Sequence, residues 1–466
     1  MEATGAAAFD STADRGGLGG HPRGLTTLFF TELWERFSYY GMRAILVLYM
    51  TAPVAAGGLG FVKTDAASIY GTYTMFVYLL ALPGGWIADK FIGARRAVMV
   101  GAVIIACGHF SMVVHSLTFF YLGLSLIALG TGFLKPNIST LVGSLYSKDD
   151  PRRDGGFSLF YMGINLGAFA APLVVGYLAE GLGFKSFLAA RGFDPNGSWH
   201  WGFGAAGVGM LLGLAVYILQ QNRLAHTDAQ TATAAADEPQ AVAAKEPLTT
   251  SDWKRIGAIL ILFVFTILFW AAYEQKGITM NIFARDHVRN QIFGWTFPAS
   301  WFQSLTPLYV IMLAPLFSLL WLRWGKRQPS SPAKFAAGLL FIGLAFALLF
   351  PAATLIGEGR ISPLWLLAVY FLEVVGEMCL SPVGLSTVTK LSPAKLVGLM
   401  MGGWFFATSW GNKLAGVLAG WFVADNNFQY SKLYGTIAVG LLIAAAVLTL
   451  LTPTIKKMAG QQTAEQ

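Results

Sequence analysis

The chain has 466 residues, of which 55% are hydrophobic and only 12% charged, with a formal net charge of +8. With a strongly positive mean hydropathy, this is the composition of a polytopic membrane protein rather than of a soluble domain. The basic excess reads as a topology signal and a complement to anionic lipid, which leaves no role for nucleic acid as a partner.

In chain order, residues 1–24 are polar and Gly-rich, with no apolar core for a signal peptide, and are expected to form a flexible cytoplasmic lead-in. Twelve apolar segments long enough to span a bilayer follow. They lie near residues 25–51, 66–88, 96–115, 118–142, 156–181 and 201–220, then near 256–280, 301–324, 334–356, 361–388, 397–422 and 434–453. Residues 221–255 between the sets are Ala-, Thr- and Gln-rich, too polar to insert, and are expected to be a cytoplasmic linker. The layout predicts an all-α membrane fold of two six-helix bundles, 25–220 and 256–453, around a central cavity, with residues 454–466 as a cytoplasmic tail. Alternate loops, counted from the N-terminus, hold most of the 32 lysines and arginines, which places both termini in the cytoplasm.

The first segment is the most informative. It contains Glu32-Leu-Trp-Glu35-Arg36-Phe-Ser-Tyr39-Tyr40-Gly-Met-Arg43. On a helix, Glu32, Glu35, Arg36, Tyr39, Tyr40 and Arg43 share an arc of about 140°. An ionised group at the bilayer centre costs on the order of 2.5–3.5 kcal/mol by insertion scales. Such a stripe must face water, a counter-charge or a substrate, so the chain is expected to move something polar across a membrane. Within it, Glu32 and Glu35 share Arg36, so one carboxyl is expected to bind and release a proton. Cys107 and Cys379 lie in different segments, which gives neither a disulfide nor a metal-ligand spacing. No phosphate-binding loop is present, so ATP coupling has no support and no cofactor is expected.

Between the second and third segments, Gly85-Trp-Ile-Ala-Asp89-Lys90-Phe-Ile-Gly93-Ala-Arg95-Arg96 resembles the loop signature of the major facilitator superfamily. The first segment resembles the ExxERFxYYG signature of the proton-dependent oligopeptide transporter family. Phe160-Tyr161-Met-Gly-Ile164-Asn165-Leu-Gly167 resembles that family's second signature. Phe133-Leu-Lys135-Pro136-Asn137, Trp270-Ala-Ala-Tyr273-Glu274-Gln275 and Gly376-Glu377-Met-Cys-Leu-Ser381-Pro382 fit three further motifs in the right order.

The resemblance implies a twelve-helix major facilitator fold and proton-coupled uptake of di- and tripeptides, without enzymatic activity, by a bacterial inner-membrane protein working as a monomer. It implies Arg43 and Lys135 as partners of the peptide carboxylate and Glu377 as partner of its ammonium, with Ser381 one turn away. Asn165 would offer a donor and an acceptor to the peptide backbone, and Tyr39, Tyr40, Tyr78, Trp270 and Trp404 would offer ring faces. Glu32, Glu35, Arg36 and Glu274 would handle the proton. Arg43–Glu274 and Lys135–Glu377 would be gating ion pairs.

Three departures stand out. Thr306-Pro307 replaces the family's Asn-Pro, which removes an amide. The linker is too polar for the two extra helices that many bacterial relatives carry. The connection around Gly357 and Arg360 is too short for the outer domain of animal relatives. The alternative readings are a symporter for another small zwitterion or anion, such as nitrate or a modified amino acid, and a membrane sensor that only binds peptides. His109 and His115 are read as satisfied surface or loop histidines away from every motif, Glu373 as a possible interfacial residue, and Lys413 receives no role.

Overall fold

The computed structural model describes residues 14–147, 150–225, 227, 247–292, 294–357 and 359–460. Most of the linker 221–255 and the end of the tail lie outside the described residues, so the readings made on them are not addressed by the structure.

Every apolar segment is helical. The first half comprises α1 (Arg23–Thr51), α2 (Lys63–Leu79), α3 (Ala81–Ile87), α4 (Ala94–Ser111), α5 (Leu117–Gly143), α6 (Arg153–Glu180), the short α7 (Leu182–Ala190) and α8 (Ser198–Gln220). The second comprises α9 (Thr250–Tyr273), α10 (Thr279–His287), α11 (Leu305–Trp324), α12 (Ser331–Thr354), α13 (Leu364–Leu391), α14 (Val397–Trp421) and α15 (Tyr430–Met458). Among the described residues, ten helical runs are long and apolar enough to cross a membrane. α1 and α14 are not among the ten, although they coincide with predicted segments: α1 carries the charged stripe, and α14 is diluted with Gly, Ser409, Asn412 and Lys413.

Local chemistry explains the breaks. α2 and α3 run on into a wide turn at Ala88–Ile92 that holds Asp89 and Lys90. Gly93 then takes φ +77°, a conformation a side chain disfavours, and lets α4 start at once. After the linker, Thr249 and Asp252 form a reciprocal cap on α9, with Asp252 N–H donating to Thr249 Oγ1 at 3.2 Å and Thr249 N–H to Asp252 Oδ2 at 3.0 Å. Two hairpins, β1–β2 (Gln291–Ile292 with Trp295–Thr296) and β3–β4 (Val423–Ala424 with Asn427–Phe428), cap loops. The second turns through Asp425 and Asn426, both at positive φ, as a tight primed turn requires.

The chain forms two compact units that do not follow the sequence halves. The first consists of the chain to Tyr39, Leu80–Ala168 and Ala206–Glu238. In it α4 and α5 approach closely through facing glycines, Gly101 against Gly130 and Gly108 against Gly123. Residues 14–24 of the lead-in are also placed there: Arg152 Nη1 donates to the carbonyls of Asp14 at 3.1 Å and Gly20 at 3.0 Å, and His21 Nδ1 lies 2.9 Å from Tyr146 Oη. Burial, then the Arg152 charge, hold His21 below the usual histidine range.

The second unit consists of Tyr40–Leu79, Phe169–Ala205 and the chain from Pro239 onward. It therefore joins part of α1, all of α2, part of α6, α7 and the start of α8 from the first sequence half to the whole second half. Asn281 Nδ2 donates to the Ala44 carbonyl at 2.8 Å, Ser409 Oγ to Met75 O at 2.9 Å, and Ser304 Oγ to Phe169 O at 2.8 Å. Lys413, without a role in sequence terms, donates to Thr72 Oγ1 at 2.7 Å. α2 and α14 touch through backbone: a methyl group at Gly71 would meet Asn412 O and Gly416 Cα, both at 3.1 Å. A bulky side chain there must separate the helices, and overpacking of this kind costs about 1–3 kcal/mol. Gly71→Val is expected to lower the thermal unfolding midpoint of the detergent-solubilised protein. Gly440→Ala, where nothing lies within 4 Å, is expected to leave it unchanged or higher.

Candidate functional site

In the first unit the charged stripe of α1 is fully enclosed: Glu32 and Arg36 are 3% exposed and Glu35 is 0%. Arg36 Nε lies 3.1 Å from Glu32 Oε1 and also pairs with Glu35. Glu32 Oε2 and Glu35 Oε1 have no hydrogen-bond partner among the described residues. Two carboxyls thus divide one guanidinium, as the i, i+3, i+4 spacing predicts. The Arg36 guanidinium also lies over the Tyr39 ring, 5.2 Å from its centroid, and Tyr39 is buried. The charge of Lys135 on α5 acts on Glu32, which ties the Phe133–Asn137 motif to the first signature.

Two sequence readings change here, those of His109 and Asn165. His109 is not away from the motifs: it is fully buried, and its Nε2 lies 3.1 Å from Ser38 Oγ inside the first signature. The helical turn of α4 carries position 109 to an inward face, and no local pattern marks that face. His115 falls beyond the end of α4, in the loop after Ser111. Asn165 is buried, but its Nδ2 donates to the Tyr161 carbonyl of its own helix at 2.9 Å, so part of its donor capacity is already used.

The second unit holds a separate constellation. Arg43, 4% exposed, pairs with Glu274, 3% exposed, in the short turn Glu274–Gly277 after α9. Its Nε and Nη2 also donate to Tyr70 Oη at 2.9 and 2.6 Å, and its guanidinium lies 5.8 Å from the Tyr40 ring centroid. Tyr70, absent from the motifs, is the residue that completes this corner. Its position on the buried stripe Ala66, Ala67, Tyr70, Tyr73, Thr74 and Val77 of α2 is the only signal the sequence offered.

Tyr273 donates its hydroxyl to Glu377. Ser381 Oγ, one turn beyond Glu377, is buried without a hydrogen-bond partner among the described residues. Trp270 packs edge-on to Phe269 and Tyr273, with an indole N–H that also lacks one. Trp404 is buried edge-on to Phe335, a helix-packing position, and Tyr78 is half-buried at the end of α2. Thr306, in place of the family amide, has a hydroxyl without a hydrogen-bond partner among the described residues, in the first turn of α11.

Two charged residues differ from the sequence reading. Glu373 is not interfacial: it is 0% exposed, one turn before Glu377 on α13. Lys276, which no motif singled out, is buried in the same turn as Glu274, its ammonium 3.2 Å from the Tyr273 ring centroid. Apolar segments hide such residues from a motif search, because their role depends on what the neighbouring helices bring.

A largely helical chain with apolar membrane-length helices and two enclosed charge clusters defines an integral membrane protein. The sequence profile of the POT family matches residues 95–244 and 240–437. The chain is 37% identical to the peptide transporter YePEPT of Yersinia enterocolitica over 512 residues, covering 96% of this chain and 97% of that protein. It is 34% identical to a di-/tripeptide transporter of Lactococcus lactis, covering 94% and 97%. The crystal structure of a peptide transporter POT variant in complex with alafosfalin superposes with a TM-score of 0.85 at 38% identity, covering 97% of this chain and 99% of that one. That of a POT family transporter in complex with 5-aminolevulinic acid gives 0.82 at 30% identity, covering 95% and 98%. The chain has the major facilitator fold of these transporters, and it belongs to the POT family.

Tyr70 tests the Arg43 corner directly. Tyr70→Phe withdraws a hydroxyl that accepts from a buried guanidinium, a loss expected to cost about 1–3 kcal/mol. The expected outcome is a lower thermal midpoint without peptide, and a smaller difference from the parent in the Glu274→Gln background, where the corner is already loosened.

Proposed function

We propose that this protein is a proton-coupled symporter that takes di- and tripeptides into the cell by alternating access. The observation that carries the reading is the enclosed pairing of Arg43 with Glu274 in the same unit that holds Glu377 on Tyr273. A peptide is a zwitterion, and this unit offers a guanidinium for its carboxylate and a carboxylate for its ammonium. The names of the relatives, a peptide transporter and a di-/tripeptide transporter, support the same substrate class.

The coupling follows from competition. In the peptide-free unit Glu274 occupies the cation that the peptide carboxylate needs. A proton on Glu274 removes the competitor and frees Arg43, so proton and peptide favour the same rearrangement. Loss of that proton to the cytoplasm lets Arg43 and Glu274 pair again and resets the carrier. The Glu32–Glu35–Arg36 cluster supplies a second place where a proton replaces half of a shared counter-charge. The distribution of Lys and Arg supports cytoplasmic termini, and the bacterial relatives support an inner-membrane location.

A second reading is a symporter for another small zwitterion. The neighbour that holds 5-aminolevulinic acid, a molecule with one amine and one carboxylate, favours it. Competition of radiolabelled dialanine uptake by unlabelled dipeptides, tripeptides and 5-aminolevulinic acid in proteoliposomes separates the two.

In the same assay, Glu274→Gln is expected to exchange dialanine in counterflow yet fail to concentrate it on an imposed proton gradient. Glu35→Gln is expected to behave alike. Concentrative uptake at the parental rate by either variant sinks the role given to that residue.

A further inference from the structure

Between the fifth and sixth predicted spans the chain forms α7 (Leu182–Ala190), a helix too short to cross a membrane. Residues 181–193 read GLGFKSFLAARGF, with three Phe, two Leu, two cations and no acid. At about 100° per residue, α7 divides into two sides. Phe184 and Leu188 share one: Leu188 is buried, and Phe184 packs edge-on to Trp201 of α8 with centroids 5.9 Å apart. Leu182, Ser186, Ala189 and Ala190 share the other, and all four are exposed, Leu182 by 67%. Lys185 and Arg191 stand at the two edges between these sides. The Arg191 guanidinium lies 3.8 Å from the Phe187 ring centroid, and the Lys185 ammonium 5.9 Å from that of Trp199. The flanking acids are engaged elsewhere: Glu180 accepts from Ser300 Oγ at 2.6 Å, and Asp194 Oδ1 from the Asn196 N–H at 2.9 Å. Neither cation makes an ion pair among the described residues.

We propose that α7 lies flat in the outer surface of the bilayer, and that Lys185 and Arg191 bind the phosphates of anionic phospholipids along its two edges. With the orientation given above, the helix follows an odd-numbered span and so falls on the outer side. Its outward side carries no charge and is bordered by Phe187, Phe193 and Trp201, all half-exposed, with Phe193 edge-on to Trp201 at 6.1 Å. On α8, Trp201, Val208 and Leu212 recur at helical spacing and are all exposed, which is the stripe a spanning helix turns to lipid. The apolar side of α7 therefore continues a lipid-facing surface. An interfacial helix has this pattern: an apolar side sunk at the boundary of headgroups and acyl chains, and cations on either edge that reach up to the phosphates. An aromatic ring at this depth is also favoured by its own amphipathic edge. A second copy of the chain fits the face less well. A two-fold contact would set α7 against α7, and with no acid in residues 181–193 it would bring like charges together. The proposal concerns what holds the carrier in its membrane and does not depend on which substrate it moves.

The test places a bimane label on Ser186→Cys, in the middle of the outward side, in a full-length Cys107→Ser background that removes the exposed native thiol. The protein is reconstituted in phosphatidylcholine nanodiscs that contain a small fraction of brominated phosphatidylglycerol or, separately, of brominated phosphatidylcholine. Bromine quenches the label only from within lipid, and acrylamide quenches it from water. Both lipids are expected to quench, phosphatidylglycerol about three- to fivefold more strongly at equal fraction, because each basic side chain at an anionic surface favours the charged lipid. In K185Q/R191Q the ratio is expected to fall to about one while quenching by both lipids persists. Ala190→Cys, on the same side of α7, carries the label should the Ser186 variant not fold. Equal quenching by the two lipids before the charges are removed overturns the anionic site, as does a preference that survives K185Q/R191Q. Quenching by acrylamide and by neither lipid puts the face in water and overturns the proposal. A label shielded from acrylamide and from both lipids is covered by protein, as in contact with a second copy, and overturns it too.

Discussion

An ionised group inside a membrane protein has no water to fall back on, and most of the site follows from that constraint. Arg43 has Glu274 and Tyr70; Arg36 has Glu32 and Glu35; Glu377 has Tyr273. Each charge is held by groups that a ligand or a proton can replace with little change in net charge. The pairs are therefore weak evidence for stability and good evidence for exchange.

The placement of these groups on short or irregular backbone is part of the same logic. Glu274 and Lys276 sit on a tight turn between α9 and α10 rather than inside a regular helix. Glu377 and Ser381 both precede Pro382 in α13, and Lys135 precedes Pro136 in α5. Proline removes a donor from the helical ladder and leaves a carbonyl without its usual partner, which membrane helices accept only where protein or a polar cavity can answer it. Rigid neighbours hold the frame meanwhile. The glycine contacts between α4 and α5, and between α2 and α14, bring backbones together where side chains would keep them apart.

Much of this was legible beforehand. The apolar helical segments and the shared arginine of the first signature follow from hydropathy and helical spacing; ten helical runs among the described residues are long and apolar enough to span, and Arg36 pairs with both glutamates. Glu32, Glu35 and Arg36 are three or four residues apart, so helix geometry alone brings them together. Arg43 and Glu274 were paired from motif resemblance, and the structure joins them across more than two hundred positions of chain. Tyr70 was missed because it lies in an apolar stretch without a motif around it, and Lys276 and Glu373 because they fall just outside motifs that end at Gln275 and begin at Gly376. His109 was misplaced for a related reason: periodicity gives the faces of α4 but not which face meets Ser38.

The sequence by itself determined what is local: which stretches are long and apolar enough to be helices, where polar linkers interrupt them, and which charges share one helical face. These depend on the rise and turn of the α-helix and on the cost of placing polar groups in lipid. The tertiary structure alone decided which face meets which. It set Tyr70 against Arg43, Lys276 over the ring that holds Glu377, and Glu373 in the interior rather than at the lipid interface. It also grouped part of α1, all of α2, part of α6, α7 and the start of α8 with the second half of the chain, a division that no boundary in the sequence marks. The physical reason is that contacts between helices depend on their mutual rotation and tilt. Close packing of side chains from distant parts of the chain fixes those angles, and hydropathy along a single segment does not contain them.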